Sequence, residues 1–214
     1  MISISGIKYQ NEIESLPFFS KSQARILIGK TGRNLDAKLT QLKKIGYLVT
    51  LKKNLYVTDP FFQKTNRIYF AEYLAGILRS PSYLSLEYIL VKENIIPEGA
   101  VNYTSITLKS PRLYQNITGT FIYRNLKPNL FTGYTESEWE GKIIRNATRA
   151  KALFDWLYLQ KISNSKTFPP NNVPINWDRL TAADIKEFGK YAKLAKSHKM
   201  TQILANIKKI YAHR

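Results

Sequence analysis

The side chains with the clearest chemical potential lie between residues 21 and 54. Arginine, asparagine and glutamine in this stretch carry hydrogen-bond donors and acceptors that match base edges, and the lysines supply positive charge for phosphates. The candidate contact residues are Lys21, Lys30, Thr31, Arg33, Asn34, Ala37, Thr40, Gln41, Lys44, Lys52, Lys53 and Asn54. Chemically, this set predicts contact with a nucleic-acid duplex.

Residues 33–44 are predicted to form the helix that presents most of this set. Apolar residues recur in it at intervals of four and three positions, which predicts one buried stripe. The stripe residues are Leu35, Leu39, Leu42 and Ile45. At about 100° per residue, Arg33, Ala37 and Thr40 lie on the opposite side. Ala37 and Thr40 are small enough to let the helix backbone approach the floor of a groove.

The contact residues are expected to divide into three roles. Side chains near the start of a recognition helix make the base contacts in helix-turn-helix motifs, which favours Thr31, Arg33, Asn34 and Ala37 for this role. Lys21, Lys30 and Lys44 are better suited to binding phosphates. Residues 52–54 form a cationic turn that could contact the backbone or enter a minor groove.

The order of elements around this helix is that of a winged helix-turn-helix. The predicted helices are residues 7–16, 21–28 and 33–44, and the predicted strands are residues 47–51 and 55–57. Ser20 can cap the second helix, Gly46 can end the third, and Asn54 tolerates the positive φ of a tight turn. Two alternatives stay open: a solvated basic face on an ordinary small helical domain, and a winged helix that binds protein instead of DNA.

The overall composition favours an anionic partner. The chain has 33 Lys and Arg against 15 Asp and Glu, a net charge of +18, which attracts nucleic acid first and an anionic membrane surface second. The absence of cysteine excludes disulfides, thiolate nucleophiles and Cys-based metal sites, and two histidines offer little for a metal. Because the apolar stretches are too short to cross a bilayer and no signal-peptide pattern opens the chain, we expect a cytoplasmic protein with no membrane partner.

The sequence predicts three segments in a mixed α/β (α+β) architecture. These are a winged helix-turn-helix over residues 1–60, an α/β domain over 61–160, and a linker with basic helices over 161–214 that pack on the second domain. A turn signal at Asp59-Pro60 and a Pro/Asn-rich loop at 162–174 mark the boundaries. Further helices are predicted at 67–78, from Ser85 as a cap to residue 92, and at 147–159, 181–195 and 198–212. Strands are predicted at 101–109, 120–123 and 130–135.

Signatures of catalysis are poor, so we expect a protein that is not an enzyme and uses no cofactor or metal. Neither a G-x-x-x-x-G-K-[ST] nor a G-x-G-x-x-G motif occurs in the sequence. His198 and His213 lie in the basic C-terminal segment without a nearby acid. Glu136, Glu138 and Glu140 alternate, so a strand would align them on one face, where they would form either a metal site or a solvated edge. Asp155 sits in an apolar helix, where a structural hydrogen bond is the default role.

A run of lysines in the C-terminal segment predicts a cationic ridge. Its members are Lys186, Lys190, Lys193, Lys196 and Lys199. Spacings of four and three residues place them along one side of a helix. Such a ridge would either add sequence-independent phosphate contacts or serve only as a solubilising surface.

Residues 19–56, together with a series of ordered motifs between residues 83 and 158, resemble the AbiEi family of antitoxins and transcriptional regulators. Residues 19–56, with Gly46 and the hairpin Lys53-Asn54-Leu55-Tyr56, are similar to its N-terminal winged helix. The ordered motifs similar to its C-terminal domain are Tyr83-Leu84-Ser85-Leu86, Ile95-Ile96-Pro97-Glu98, Thr104-Ser105-Ile106-Thr107, Phe121-Ile122-Tyr123-Arg124, Leu126-Lys127-Pro128, Leu130-Phe131 with Gly133-Tyr134, and Lys151-Ala152-Leu153-Phe154-Asp155 with Leu157-Tyr158. The resemblance covers about residues 10–160.

The resemblance implies an antitoxin of a type IV toxin–antitoxin system that acts in abortive infection, a defence against phage. Its partners would be a nucleotidyltransferase toxin and the inverted repeats of its own operator, which it would bind as a repressor. The family's proline and glutamate before the Lys-Ala-Leu run are replaced here by Arg149 and Ala150, so no role of that glutamate carries over.

Two rival functions stay open at this point. One is a metal-dependent nuclease, or a phosphotransferase acting on the toxin, that would use Glu136, Glu138 or Asp155. The other is a replication initiator or structural nucleoprotein, whose neighbouring gene would not encode a nucleotidyltransferase.

Overall fold

The structure is a computed structural model that describes residues 6–97, 99, 102–160 and 174–212. Within these residues it is a mixed α+β protein with nine α-helices and a mixed six-stranded sheet. The helices are α1 (Gln10–Ser15), α2 (Lys21–Ile28), α3 (Gly32–Lys44), α4 (Asp59–Lys64), α5 (Arg67–Leu78), α6 (Glu87–Lys92), α7 (Arg149–Leu159), α8 (Ala182–Ala195) and α9 (His198–Ala212). The strands are β1 (Phe19–Ser20), β2 (Leu48–Lys52), β3 (Leu55–Thr58), β4 (Ser82–Leu84), β5 (Asn102–Thr107), β6 (Arg112–Asn116), β7 (Gly119–Asn125), β8 (Tyr134–Trp139) and β9 (Lys142–Ala147).

The chain forms two compact units. The first comprises residues 1–71 with 114–118, and the second comprises 72–113 with 119–214. Asp59-Pro60, expected to be a turn, begins helix α4 instead, because proline is well tolerated in the first helical turn and the Thr58 side chain caps the helix. Of the expected loop at 162–174, only Pro174 lies within the described residues.

Local sequence signals account for most of the first unit. Ser20 and Gln23 form a reciprocal capping box at the start of α2, and Gly29 ends that helix in the left-handed conformation. Strands β2 and β3 pair in antiparallel fashion, and Asn54 in their turn has a φ of 62°. The sequence did not predict β1, which adds to β3 and completes the sheet order β1-β3-β2.

One continuous core holds the first unit together. Its buried members are Ile13, Phe19, Ala24, Ile28, Leu35, Leu39, Leu42, Tyr47, Leu48 and Tyr56. The predicted stripe of α3 is confirmed at its three leucines. It is wrong at Ile45, which caps the end of the helix with its side chain 39% exposed, because the helix stops before another turn can bring that position inward. Tyr47 donates a hydrogen bond of 2.7 Å to Glu14, and burial is the main cause that raises the pKa of this phenol.

The six-stranded sheet has the order β6-β7-β5-β4-β9-β8 and mixes parallel with antiparallel pairs. β5 runs parallel to β7, and β4 runs parallel to β9. The predicted strand at 130–135 is wrong, because residues Pro128–Leu130 form a short 3-10 helix and the strand begins at Tyr134. No predicted strand corresponds to β4, β6 or β9.

Helix α7 is the central helix of the second unit, and every residue from Ala150 to Leu157 is buried. Phe154 contacts the rings of Phe188 and Tyr191 on α8. The predicted helices α8 and α9 are confirmed within one residue at their ends. Ser85 does not cap α6 as expected. Leu86 occupies the capping position without a side-chain hydrogen bond, and the Ser85 hydroxyl binds Asp155 instead.

Among the described residues, no helix has the length and apolar character needed to span a membrane.

Candidate nucleic-acid interface

Helix α3 carries the candidate contact residues on the side that its core contacts leave open. Leu35, Leu39 and Leu42 are buried and fix the rotation of the helix about its own axis. The contact residues on or just before α3 are all exposed: Thr31, Arg33, Asn34, Ala37, Thr40, Gln41 and Lys44. A helix held in this way presents one complete polar face to solvent, with small residues at its middle.

Most of the polar groups on this face have no partner among the described residues. No hydrogen bond or ion pair within the described chain engages the side chains of Arg33, Asn34 or Lys44. Gln41 is the exception, because its Oε1 accepts a hydrogen bond of 3.3 Å from Lys38. Unpaired guanidinium, amide and ammonium groups keep their full capacity for base edges and phosphates.

Lys21 connects three of the predicted contact elements. Its backbone N–H donates a hydrogen bond of 3.0 Å to the carbonyl of Asn54 in the β2–β3 turn. Its ammonium group forms an ion pair with Asp36 of α3. The start of α2, the tip of the hairpin and the face of α3 are therefore neighbours, and the structure brings these parts of the predicted set together. Because Asp36 offsets the charge of Lys21, this lysine is less available to phosphate than the sequence suggested.

The turn between α2 and α3 and the tip of the hairpin supply the remaining contact residues. Lys30 is exposed between Gly29 and Gly32, whose positive φ values make the sharp change of direction possible. Lys53 is exposed at the hairpin tip without a partner in the described chain, whereas Lys52 is half-buried. Lys30, Lys53 and Arg33 thus add positive charge that no described acid neutralises.

The ion pair of Lys21 with Asp36 is the feature of this surface that the sequence analysis missed. The two residues are 15 positions apart, and only the packing of α2 against α3 makes them neighbours. A helix projection of α3 places Asp36 beside the polar face, but the projection contains no information on which other helix packs next to Asp36.

The structure separates the three alternating glutamates that were considered as a metal site. Glu136 pairs with Arg145 across two strands at 2.9 Å, and Glu140 lies in the following turn, 3.5 Å from Lys142. The turn breaks the alternation that would have placed three carboxylates on one face. No group of three or more potential metal-binding side chains occurs in the described part of the chain.

Asp155 forms the centre of a buried network in the second unit, as the default structural role predicted. It pairs with Lys151 one helical turn earlier, and both side chains have no exposed surface. Asp155 also accepts hydrogen bonds from Tyr83 at 3.0 Å and from Ser85 at 2.8 Å. Burial lowers the pKa of Lys151 and raises that of Asp155, because desolvation disfavours both charges. Because Lys151 and Asp155 are fully buried and bonded to each other, their network ties α7 to Tyr83 and Ser85 inside the second unit.

The predicted lysine ridge is wrong at its C-terminal end. Lys186, Lys190 and Lys193 are exposed on α8, but Lys196 ends that helix in the left-handed conformation. Lys199 donates hydrogen bonds of 2.8 and 2.7 Å to the carbonyls of Tyr158 and Gln160, and burial lowers its pKa. The ridge is therefore three lysines long, since the chain changes direction before Lys199. His198 begins α9 on the surface, and His213 lies outside the described residues.

Neither comparison with known proteins gives a relative. No protein-family model matches the sequence, and no curated protein matches it significantly.

Proposed function

We propose that the chain is a DNA-binding repressor and antitoxin whose residues up to Thr58 act as a winged helix-turn-helix. In this proposal α2 and α3 form the helix-turn-helix, and the β2–β3 hairpin is the wing. Helix α3 enters the major groove, and Arg33 and Asn34 contact base edges near its start. Lys30, Lys44 and Lys53 bind phosphates on either side.

The observation that carries the DNA-binding proposal is the exposed polar face of α3. Its three leucines are buried in the core on one side of the helix. The opposite side is exposed and carries unpaired hydrogen-bond donors around Ala37 and Thr40. An α-helix fits the B-DNA major groove, where arginine and asparagine form bidentate contacts with guanine and adenine. A protein-binding surface of this size would instead be expected to show a desolvated apolar centre.

The surroundings of α3 also suit a duplex. The hairpin tip is tied to the start of α2 through Lys21 and Asn54, so its lysine is held near the recognition helix. Positive charge on this surface exceeds negative charge, and such charge releases counterions from DNA. The net charge of +18 adds long-range attraction for the same partner.

The antitoxin part of the proposal rests on the resemblance to the AbiEi family. It assigns the second unit to neutralising a nucleotidyltransferase toxin. The proposal predicts that a neighbouring gene encodes a nucleotidyltransferase toxin and that co-expression of this chain with that toxin restores growth. Toxicity that persists with equal amounts of folded protein, or a neighbouring gene of another class, would refute this part while leaving DNA binding intact.

Fluorescence anisotropy with a labelled duplex from the region upstream of the chain's own reading frame tests the DNA-binding part. Scrambled duplex of equal length serves as the competitor. We expect the triple variant Arg33→Ala, Lys44→Ala, Lys53→Ala to bind at least about tenfold more weakly, which corresponds to ~1.4 kcal/mol. The slope of log affinity against log salt should fall by about 2, since Lys44 and Lys53 each bind a phosphate and each lost phosphate contact contributes ~0.9.

A matched control removes three positive charges from the second unit. Lys109→Ala, Lys127→Ala, Lys209→Ala replaces exposed lysines, and it should retain preference for the upstream duplex over the scrambled one. Equal losses in both triple variants would mean that net charge alone drives binding. That result, or an unchanged affinity of the first variant, would refute α3 as the recognition helix.

A further inference from the structure

The second unit contains a cavity of about 740 Å³ beside α6. Leu86 and Val91 line it from the helix side, and Ile122 lines it from β7. Pockets that enclose small organic ligands have volumes of about 300–1,000 Å³ and mostly apolar linings with a few polar groups. The size and lining of this cavity therefore suit a small molecule.

The wall formed by the start of α6 is held rigidly. Thr104 Oγ1 donates to the carbonyl of Ser85 at 2.6 Å and accepts from the backbone N–H of Tyr88 at 2.9 Å. The backbone N–H of Ser85 donates to the carbonyl of Thr104 at 3.0 Å. These three bonds hold Leu86 at φ 60° and ψ −141°, a conformation that is strained for a residue with a side chain. Such strain persists only where the surroundings fix it, so this wall is pre-formed.

Two polar side chains in the lining already have a partner, because both bind Glu72. The Tyr88 hydroxyl donates to Glu72 of α5 at 2.6 Å, and Lys92 forms an ion pair with the same carboxylate. Glu72 is itself buried, and together with burial it raises the pKa of Tyr88. These groups fix the shape of the cavity, and Glu72 offsets the positive charge of Lys92.

Two other charged side chains at the cavity have no partner among the described residues. Arg124 of β7 is exposed, and its planar guanidinium suits bidentate binding of a carboxylate or sulfonate. Glu87 of α6 is half-buried and can accept a hydrogen bond from an N–H group. Its negative charge also disfavours a ligand with two anionic groups.

We propose that this cavity binds a small amphipathic molecule with an apolar body, one anionic group directed to Arg124 and one N–H donor directed to Glu87. The apolar body lies against Leu86, Val91 and Ile122. This site is separate from the α3 surface, and the proposal does not depend on DNA binding.

The first test is a titration of the full chain with 8-anilinonaphthalene-1-sulfonate, which combines an aromatic body, one sulfonate and one N–H. We expect a saturable rise in fluorescence with one molecule bound per chain. N-acetyl-L-phenylalanine, which has the same three features, should displace the dye. Its carboxamide analogue lacks the negative charge and should displace at least about tenfold less well.

Two variants locate the site. Arg124→Gln should lower the affinity for the dye and for the carboxylate about tenfold and leave the affinity for the carboxamide unchanged. Lys127→Gln, which replaces an exposed lysine outside the lining, should change none of the three affinities. Ile122→Trp should fill the cavity and reduce binding of all three probes. Far-UV circular dichroism must match the wild type, and Ile122→Val replaces the tryptophan variant if that one does not fold.

Four results would overturn the proposal. They are a fluorescence rise that does not saturate, several dye molecules per chain, equal displacement by carboxylate and carboxamide, and equal effects of Arg124→Gln and Lys127→Gln. Since Ile122→Val enlarges the cavity by only a methylene group, the Arg124 comparison decides the question if Ile122→Trp is unfolded.

Discussion

Helices α3 and α7 use the same kinds of charged residue in opposite ways. On α3, Arg33 and Lys44 are exposed and unpaired in the described chain, and Asp36 pairs with Lys21 at the surface. On α7, Lys151 and Asp155 are completely buried and paired with each other. The exposed charges cost the fold little and are available to a partner. The buried charges have only each other and two hydroxyl groups, so the fold depends on them.

The energetic contrast follows from solvent. An exposed ion pair contributes between about 0 and 1 kcal/mol, because water screens it and side-chain entropy opposes it. Removing one member of a buried pair costs about 3–5 kcal/mol, because the other charge is left without compensation. Mutations in the two helices should therefore separate into those that change binding and those that change stability.

The largest effect is expected from Lys151→Met. The substitution keeps much of the side-chain volume but leaves Asp155 buried without its cation, so the free energy of unfolding should fall by about 3–5 kcal/mol. Urea unfolding followed by tryptophan fluorescence measures this, since Trp139, Trp156 and Trp177 all lie in the second unit.

Exposed Lys186→Met on α8 is the control for this experiment, with an expected change within about 0.5 kcal/mol. The double variant Lys151→Met, Asp155→Leu should be more stable than Lys151→Met alone, because it buries no unpaired charge. If Lys151→Met matches the control, the pair does not stabilise the second unit.

The next largest effect is expected from Leu39→Ala in the stripe of α3. Loss of a fully packed leucine should cost about 3 kcal/mol through lost burial and the cavity it leaves. Amide hydrogen exchange of α3 should speed up accordingly. Thr40→Ala, at the neighbouring exposed position, should leave exchange almost unchanged. Equal exchange rates in both variants would show that the leucines do not anchor the helix.

The third prediction concerns alkaline pH. Because burial and Glu72 raise the pKa of Tyr88, its phenol stays protonated in the folded state after it ionises in the unfolded state. Its stabilising contribution is complete below about pH 10 and is lost as pH rises above that value, by ~1.4 kcal/mol per pH unit. The free energy of unfolding, measured in urea between pH 9 and 11, should therefore decline less steeply with pH in Tyr88→Phe than in the wild type.

Tyr69→Phe provides the control for the pH series, since Tyr69 on α5 is 48% exposed. Its decline should be parallel to that of the wild type. A Tyr88→Phe profile parallel to the wild type as well would show that the Tyr88 phenol does not contribute.

The smallest effect on stability is expected from Asp36→Asn. The surface pair with Lys21 contributes less than about 1 kcal/mol, so unfolding should hardly change. DNA binding should instead become tighter and its salt slope steeper by about 1, because Lys21 is released to bind a phosphate. Glu138→Gln, which removes an exposed acid from the second unit, should leave both quantities unchanged. Weaker binding by Asp36→Asn would indicate that the aspartate positions Lys21.

Local signals made a large part of the fold predictable from sequence. Ser20 with Gln23, Gly46 and Asn54 specify ends and turns through their own backbone preferences, and the spacing of Leu35, Leu39 and Leu42 specifies a buried face. Where the signal depends on distant packing, prediction failed. The Ser85 hydroxyl was expected to cap α6 but binds Asp155, 70 positions later, and no local pattern contains that contact.

The candidate interface was predictable to a similar degree. A helix projection correctly placed Arg33, Ala37 and Thr40 on an exposed face, because helical periodicity and the buried leucines decide that question together. It could not show that Asp36 neutralises Lys21 or that the chain turns at Lys196 before the last lysine of the ridge. The cavity beside α6 had no sequence signal, since its lining combines α6 with residues on β5, on β7 and at Pro174, which only the packing of the second unit brings together.

The hydrogen bonds of Lys199 have a consequence for how the second unit could be assembled. This lysine joins α9 to the carbonyls of Tyr158 and Gln160, and Phe154 packs against two aromatic rings of α8. These contacts hold α8 and α9 against α7 and the residues just after it, in addition to the covalent link between residues 160 and 174. A fragment that ends at residue 160 and a second fragment that starts at residue 174 should reassociate when mixed. This junction therefore suits a split protein that is complete only when both fragments are present.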